Sequence, residues 1–490
     1  MAVNMNQIYA AVKPVGTPLK MLHTEGRHIV DEDSRQVILR GCNIGSWMTM
    51  EYYLYGIYGS EHILRMMANE ILGQEKGSFL FESMMEHFFN ESDVAYLKSI
   101  GNNVLRLTMN YRHFEDESNP DVFLESGFRR VDKVLEWCEK YGLYAILDLH
   151  SVPGHQNGNW CSDNATGEAR FWNNEYFYRR FIALWEEFAR RYRGRSIVAG
   201  YNILNEPVTV DRIGNLPIPI SHDWDTLNQL YRRTVSAIRK IDPEHIIFLE
   251  GEQASTLFSG LEAPFAPNLV YSSHNYSFSS GAVTARFYPG LTADGRYCDK
   301  EAIRKEFYLH EGTQYCQKHQ VPLWVGEFGS RSYSEILDDQ IDVFEEFGAH
   351  WTIWQHKDIG FSSLLRYHPK CPYLQKFQDI ISRFGTVYGG NWGAEETPER
   401  RRMREKCREF EDSLIQAAKS SYIGETSHYM LSRWVDDGYY AKIIAYEYFK
   451  RYESMSLEEI DQMFADSFET ANCIIHPHTL VIQKYCQNGN

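Results

Sequence analysis

The sequence lacks any apolar run of about 18 residues, so we expect no membrane-spanning helix. Its first residues, MAVNMNQIYAAVKPVG, have no positive charge ahead of an apolar run and do not match a secretory signal. Its nine cysteines have scattered spacings and include no CxxC pair, which favours reduced thiols over a disulfide framework. Together these features predict a cytoplasmic protein.

Positive charge is also scarce, because 50 Lys and Arg stand against 66 Asp and Glu, for a net charge of −16. No basic excess is present to neutralise phosphates, so we expect neither a nucleic-acid nor a membrane partner. Hydrophobic residues make up 43% and charged residues 24%, which is a globular balance. Aromatic residues reach 14%, a share that suits core packing and also stacking on the flat faces of a ligand.

No P-loop is present, and residues 40–45, RGCNIG, lack the GxGxxG spacing of a nucleotide-binding open sheet. What is present is a series of short apolar runs, most of them separated by helical patterns. Such runs predict parallel strands buried on both faces, and eight of them predict a closed (β/α)8 TIM barrel. The eight runs are residues 37–44, 103–107, 143–149, 199–204, 245–249, 269–273, 322–325 and 350–354.

Three regions are predicted along the chain: an N-terminal segment 1–24, a catalytic barrel 25–390, and a helical C-terminal extension 391–490 packed on the barrel. Within the barrel, Val131, Val134, Leu135 and Cys138 share one helix face, and Gly142 is a stop signal. In the extension, Ser456 and Glu459 form a capping box pattern ahead of an apolar face that includes Leu457, Ile460, Met463, Phe464 and Phe468.

Polar residues follow the predicted strands at their carboxyl ends, where barrel chemistry collects. Buried charges there need partners, either one another or a ligand. Taken singly, each has an ordinary structural role, such as an internal ion pair, a core histidine, a cap or simple packing. Taken jointly, they favour a functional site. They are Arg106, Asp148, His150, Asn205, Glu206, His274, Tyr276, Glu327 and Trp354.

Two of these residues, Glu206 and Glu327, are carboxylates on opposite strands, the arrangement that glycoside hydrolysis requires. One carboxyl must be protonated to assist the leaving oxygen, and the other must be ionised. A neighbouring arginine keeps a carboxylate ionised, whereas burial and like charge raise a pKa. Glu327 beside Arg106 and Glu206 beside His274 would satisfy this division.

The motifs resemble glycoside hydrolase family 5, within the clan of (β/α)8 retaining enzymes. Residues 203–207, ILNEP, are similar to its acid/base signature, and residues 324–329, WVGEFG, to its nucleophile signature. The family's recurring set of eight residues is present in order, and the resemblance covers about residues 25–390. The eight are Arg106, His150, Asn205, Glu206, His274, Tyr276, Glu327 and Trp354.

The resemblance implies a role for each residue. Glu206 would be the general acid/base and Glu327 the nucleophile, about 5–5.5 Å apart, in a double displacement with retention. No metal and no cofactor is implied. The other implied roles are binding of the sugar 2-hydroxyl by Asn205, support of the nucleophile by Arg106 and Tyr276, orientation of the acid/base by His274, and lining of the −1 subsite by His150 and Trp354.

The loop after the third strand, residues 148–158 (DLHSVPGHQNG), resembles the exo-β-glucanase and diglycosidase branch of that family. Residues 159–164 depart from the fungal exoglucanases of that branch, which leaves the glycone open. Trp160, Trp172 and Trp392 are candidate stacking platforms. A loop after the first strand is expected to close one end of the cleft and favour exo action, through Trp47, Tyr52, Tyr53, Tyr55 and Tyr58.

Three functions remain open from the sequence. The leading one is a retaining, exo-acting β-glycosidase on short glucosides or oligosaccharides. The second is the same mechanism on a β-mannoside, a β-galactofuranoside or a diglycoside. The third is a catalytically silent barrel that binds a glycan or a partner protein. A carbohydrate is the expected ligand, and self-association into a homo-oligomer is a further possibility.

Overall fold

Eight parallel strands form a closed barrel in the computed structural model of the protein. The structure describes residues 3–51, 55–57, 59–213, 221–276, 288–292, 295–330, 333–359, 363–384, 398–419, 435, 439 and 441–488. Each strand pairs with the next along the chain, and the last pairs with the first through Trp351 and Arg40. The predicted (β/α)8 barrel is therefore confirmed. Its strands are β1 (Arg40–Met48), β2 (Val104–Asn110), β3 (Tyr144–Ser151), β4 (Val198–Asn202), β5 (Ile246–Glu250), β6 (Leu269–Asn275), β7 (Leu323–Phe328) and β8 (His350–Ile353).

The barrel interior is apolar at the end where the strands begin. Side chains from six strands pack there, and Phe248 contacts Trp324 with ring centroids 4.8 Å apart. The antiparallel hairpin of strands Leu22–Glu25 and His28–Asp31 closes this end, because its Leu22 and Ile29 belong to the same cluster. The cluster forms an apolar layer, which we call the floor, between the hairpin and the polar residues at the other end of the barrel. Its strand members are Val104, Tyr144, Ile146, Ala199, Ile246, Phe248, Val270 and Trp324.

Amphipathic helices cover the outside of the barrel. In the helix Glu125–Tyr141 the predicted face is buried, and Gly142 ends the helix in a left-handed conformation with φ of 68°. Between β5 and β6 the described chain has only the turn Glu252–Ser255. The other described helices up to the last barrel helix are Met5–Ala11, Glu61–Leu72, Gln74–Phe88, Glu91–Ser99, Glu175–Tyr192, Trp224–Arg239, Lys300–Leu309, Glu311–His319, Ser334–Phe347 and Pro372–Phe384.

The C-terminal residues pack on the barrel through helices and one short strand. The capping box of Ser456 and Glu459 is present, with both hydrogen bonds formed at 3.1 and 2.7 Å. The predicted apolar face is buried, except for Leu457 at its edge, which is 37% exposed. The strand Cys473–Ile475, which the sequence analysis did not predict, pairs with the strand Leu365–Tyr367. The packed helices are Ala441–Lys450, Leu457–Phe468 and His478–Asn488, and a fourth helix, Pro398–Ala417, is mostly exposed where its side chains are described.

Three further sequence expectations concern membrane-spanning helices, the cysteines and the division of the chain into regions. The helices within the described ranges include none with the length and apolar character needed to cross a bilayer. All nine cysteines fall in those ranges, where they are buried and form no disulfide. The division of the chain at residues 24 and 390 stays a prediction.

Candidate active site

Polar side chains from every barrel strand or its exit converge at the carboxyl end of the barrel, which we call the mouth. They are held in place by the strands themselves, so their positions follow from the barrel register. Most of them are fully buried, with Glu206 as the partly exposed member. They are Asn43 of β1, Arg106 of β2, Asp148 and His150 of β3, Asn202, Asn205 and Glu206 of β4 and its exit, Glu250 of β5, His274 of β6, Glu327 of β7 and Trp354 after β8.

Arg106 is the centre of the hydrogen-bond network. Its Nη1 donates to Oε1 of Glu327 at 2.5 Å, and its Nη2 donates to Oδ1 of Asn205 at 2.8 Å and to Oε1 of Glu250 at 3.1 Å. Its Nε donates to Oδ1 of Asn202 at 2.9 Å. Because the guanidinium is buried, these acceptors replace the water that would otherwise solvate the charge. Through these contacts the arginine in turn fixes groups from three other strands or their exits, β4, β5 and β7.

Glu327 is placed so that its carboxylate is ionised. Tyr276 donates its hydroxyl to Oε2 at 2.9 Å, while Arg106 holds Oε1. Burial favours the neutral acid, but the positive charges of His274, Arg106 and His150 outweigh it and lower the pKa of Glu327. The lowered pKa gives a carboxylate at neutral pH.

Glu206 is placed so that its carboxyl group holds a proton more strongly than an ordinary glutamate does. Burial raises the pKa of Glu206, the charges of Glu327 and Glu250 add to the rise, and a hydrogen bond from His274 opposes it. Nδ1 of His274 lies 2.8 Å from Oε1 of Glu206. A carboxyl oxygen of Glu206 lies within 4.8 Å of one of Glu327. The mouth thus brings together, at short range, one carboxyl group with a raised pKa and one with a lowered pKa.

His274 lies among three carboxyl groups. Its Nδ1 is 3.7 Å from Oε2 of Glu327, and its Nε2 is 3.5 Å from Oε2 of Glu250. Burial lowers the pKa of His274, but the charges of Glu327 and Glu250 and the hydrogen bond with Glu206 raise it well above its ordinary value. Donor atoms of Glu206, His274 and Glu327 lie within 4.8 Å of one another, and in its protonated form the His274 ring has no lone pair to offer a cation.

His150 and Trp354 form a stacked pair on the other side of the mouth. Their ring centroids are 5.4 Å apart with an interplanar angle of 17°. Nδ1 of His150 lies 2.9 Å from Oδ2 of Asp148, and its Nε2 lies 3.4 Å from Oε1 of Glu51. Burial opposes protonation, but hydrogen bonds with these two carboxylates raise the pKa of His150 to about 10. The pair therefore presents a cationic ring beside an aromatic face.

The loop after β3 fixes the backbone of Asn205 and Glu206. Nε2 of Gln156 donates to the carbonyl of Asn205 at 2.8 Å, and Nδ2 of Asn157 donates to the carbonyl of Glu206 at 2.9 Å. Sγ of Cys161, in the same loop, lies 3.9 Å from Oε2 of Glu206. Gln156 and Asn157 belong to residues 148–158, which resemble the exo-β-glucanase branch, whereas Cys161 belongs to residues 159–164, which depart from its fungal members.

The structure joins the eight residues of the recurring family set into one network of hydrogen bonds and ring contacts, with Asp148 paired to His150, and their chemical roles stay predictions. Trp160, the predicted stacking platform, is half-buried and packs partly against the core, next in sequence to Cys161. Trp172 is buried and donates Nε1 to the carbonyl of Gln156, so it packs within the loop. Trp47 and Tyr55 are also buried. The candidates Trp392, Tyr52, Tyr53 and Tyr58 lie outside the described residues.

Sequence reasoning missed Glu250, Glu51, Asn43 and Asn202 at the mouth. Glu250 follows the apolar run 245–249 directly, so the strand-end rule that found Glu327 applies to it as well. Asn43 and Asn202 lie inside strands, and contact with Arg106 distinguishes them only in the folded barrel.

A closed parallel barrel with two carboxyl groups of opposite pKa shift at its mouth is the arrangement that an O-glycosyl hydrolase needs. The family model described as cellulase (glycosyl hydrolase family 5) matches residues 72–360. A beta-xylosidase from Phanerodontia chrysosporium is 33% identical over 478 residues, covering 92% of this chain and 95% of that protein. The chain therefore belongs to glycosyl hydrolase family 5, and it is a β-glycoside hydrolase.

Two further comparisons extend this result. Cellodextrinase A from Ruminococcus flavefaciens is 27% identical over 301 residues, covering 60% of this chain and 76% of that protein. A crystal structure of an endogalactoceramidase superposes with a TM-score of 0.50 at 18% identity, covering 69% of this chain and 75% of that one. The second similarity shows a shared fold.

Proposed function

We propose that the protein is a retaining, exo-acting β-glycosidase with Glu327 as nucleophile and Glu206 as general acid/base. The observation that carries the proposal is the separation of their carboxyl oxygens, which is within 4.8 Å. Retaining enzymes have carboxyl groups about 5–5.5 Å apart, whereas inverting enzymes need about 6.5–9.5 Å to admit a water between them. The opposite pKa directions of the two groups support the same assignment.

In the first proposed step, the protonated Glu206 gives its proton to the glycosidic oxygen. The Glu327 carboxylate forms a bond to the anomeric carbon as the bond to the leaving oxygen breaks. Tyr276 and Arg106 hold the two oxygens of Glu327, so the attacking oxygen keeps a fixed direction. The product of this step is a glycosyl ester of Glu327 and a released aglycone.

In the second proposed step, the Glu206 carboxylate takes a proton from water while the water oxygen attacks the anomeric carbon. Glu327 leaves as a carboxylate, and two inversions give net retention. His274 orients Glu206 through the 2.8 Å contact. Asn205, fixed by Arg106, is the proposed ligand of the sugar 2-hydroxyl, and the stacked His150 and Trp354 line the −1 subsite.

The proposed substrate is a short β-glycoside with a xylose or glucose glycone. The names of the relatives, a beta-xylosidase and a cellodextrinase, support this choice. The buried Glu51, which follows β1 and faces His150, supports a contribution of the β1 exit to one end of the mouth. Trp160 remains a candidate sugar platform. A β-mannoside, a β-galactofuranoside or a diglycoside is the second candidate, favoured by the departure of residues 159–164 from the fungal exoglucanases.

The test is a panel of aryl β-glycosides of xylose, glucose, mannose, galactose, galactofuranose and rutinose, assayed with the wild type and with Glu327→Gln. We expect turnover of one or two members by the wild type, none by the variant, and a β-anomer as the first product by NMR. A fluoro-glycoside inactivator should label Glu327. Turnover that survives in Glu327→Gln, or an α-anomer, would refute the mechanism, and silence across the panel together with no labelling would favour the silent barrel.

The location and the assembly of the protein also remain proposals. We propose a cytoplasmic protein without a nucleic-acid partner, and self-association stays a prediction. Cell fractionation tests the location, and light scattering of the purified protein tests the assembly.

A further inference from the structure

Glu250, at the end of β5, contacts three parts of the site from a fully buried position at the mouth. Its Oε2 accepts the backbone N–H of Glu206 at 2.8 Å, and its Oε1 accepts from Nη2 of Arg106 at 3.1 Å. Nε2 of His274 lies 3.5 Å from Oε2. The side chain is fully buried, so these contacts replace solvent around a charged group.

The backbone of Glu206 needs such support. Glu206 has a φ of 44°, in the left-handed region that a residue with a side chain seldom adopts. Strain of this kind persists only where the surroundings hold the backbone in place. The N–H that Glu250 accepts belongs to the strained residue itself, so the contact sets the direction in which the Glu206 side chain leaves the chain.

The residues after Glu250 continue the same support. Residues 253–255 also have positive φ, at 53°, 54° and 62°. The N–H of Ala254 donates to the carbonyl of Pro207 at 3.3 Å, and Oε1 of Glu252 accepts from N and Oγ1 of Thr209 at 2.8 and 2.9 Å. The exit of β5 therefore holds the exit of β4 at three successive points, of which Glu250 is the one that also carries charge to the site.

We propose that Glu250 is a positioning residue of the hydrolysis, which holds the Glu206 backbone and the His274 ring so that the Glu206 carboxyl faces the leaving oxygen. The inference rests on the proposed acid/base role of Glu206. Glu250 itself touches no reacting atom, and it acts through Glu206 and His274. Its loss should therefore weaken proton transfer to the leaving group more than it weakens attack by Glu327.

The stronger effect on proton transfer to the leaving group is one experimental signature of this role, and the charge of Glu250 gives a second. The charged groups around it are Arg106 from β2, Asp148 from β3, Glu206 after β4, His274 from β6 and Glu327 from β7. Its negative charge raises the pKa of Glu206 and also that of Glu327. Replacing it with a neutral amide removes both effects, so both limbs of the pH profile should move to lower pH.

The experiment compares Glu250→Gln with the wild type on dinitrophenyl, nitrophenyl and phenyl glycosides of the sugar that the panel identifies. These leaving groups need increasing help from a general acid, which contributes about 10²–10⁴-fold. We expect kcat/KM of the variant to fall about 10²-fold on the phenyl glycoside and at most about tenfold on the dinitrophenyl glycoside. Rates are expressed per competent site, counted by a fluoro-glycoside burst, so misfolded protein does not contribute.

Two further variants make the outcome decisive. Glu345→Gln is the matched control, because Glu345 is a carboxylate paired with Arg40 at the opposite end of the barrel, and it should show neither signature. Glu206→Gln should show the leaving-group dependence more strongly. If Glu206→Gln lacks that dependence, the proposed acid/base role fails. If Glu206→Gln shows it while Glu250→Gln lowers all three substrates alike with an unshifted pH profile, only the positioning role fails.

Discussion

The buried ion pair of Lys357 and Asp93 should govern the stability of the whole chain. Nζ of Lys357 lies 2.7 Å from Oδ1 of Asp93, and both side chains are fully buried. The ammonium also donates to the carbonyls of Phe88 at 2.9 Å and Phe468 at 2.6 Å, and Oγ1 of Thr470 donates to Oδ1 of Asp93 at 2.6 Å. The pair thus joins the exit of β8, the helices after β1 and the C-terminal residues.

The expected loss in the free energy of unfolding follows from the burial of both charges. Asp93→Asn leaves the Lys357 ammonium in the core without a counter-charge, which costs about 3–5 kcal/mol of the free energy of unfolding. Lys357→Met leaves the Asp93 carboxylate with the hydroxyl of Thr470 and the N–H of Asn90, so its cost should lie at the lower end of that range. In the double variant, which combines Asp93→Asn and Lys357→Met, no unpaired charge remains. We therefore expect its loss of unfolding free energy to be at least about 2 kcal/mol smaller than the sum of the two single losses.

Urea unfolding followed by fluorescence and circular dichroism measures these free energies, provided that the two probes coincide. Glu86→Gln is the control, because Glu86 is half-exposed and pairs at the surface with Arg130 and Lys133, so the change should alter stability by less than about 1 kcal/mol. Strict additivity in the double variant, or single costs similar to the control, would refute the reasoning.

Three shorter predictions concern the site and the first residue of β8. Tyr276→Phe removes a hydrogen bond to the Glu327 carboxylate that is worth about 1.5–3 kcal/mol, so kcat/KM should fall about 10- to 100-fold. The pKa of Glu327 should rise, and the acid limb of the pH profile of kcat/KM should therefore move to higher pH. An unchanged acid limb in stopped assays would contradict the contact. Glu206→Ala should lose turnover of phenyl glycosides and regain turnover of dinitrophenyl glycosides with azide, giving a β-glycosyl azide by NMR; an α-azide would contradict retention. Burial and the charge of Arg40 lower the pKa of His350 to about 3, so an unfolded chain takes up a proton that the folded one refuses, and stability falls as pH drops from about 6.5. His350→Gln should flatten this slope by about 1.4 kcal/mol per pH unit in urea titrations, and a parallel slope would exclude His350 as its source.

The barrel was predictable because parallel strands covered on both faces must be apolar along their whole length, as in the run before Asp148. The residues at the strand ends were predictable for a related reason, since a charge that interrupts an apolar run needs a partner. The strand Cys473–Ile475 was not predictable, because its pairing with the strand Leu365–Tyr367 is a long-range contact that leaves no periodic signal. The strain at Glu206 was hidden as well, because it depends on what Glu250 and the β3 loop impose on its backbone.

The pairing of Lys357 and Asp93 also sets an order of events during synthesis. Asp93 leaves the ribosome 377 residues ahead of Thr470, the residue that completes its hydrogen bonds. At about 5–20 residues per second, the interval is on the order of 20–75 s. During that time the helices after β1 present a buried-type carboxylate and an apolar surface that their own neighbours in sequence cannot cover. The nascent chain therefore keeps this surface uncovered until Phe468 and Thr470 emerge, and a stop codon ahead of them would leave Lys357 and Asp93 without the contacts that complete the pair.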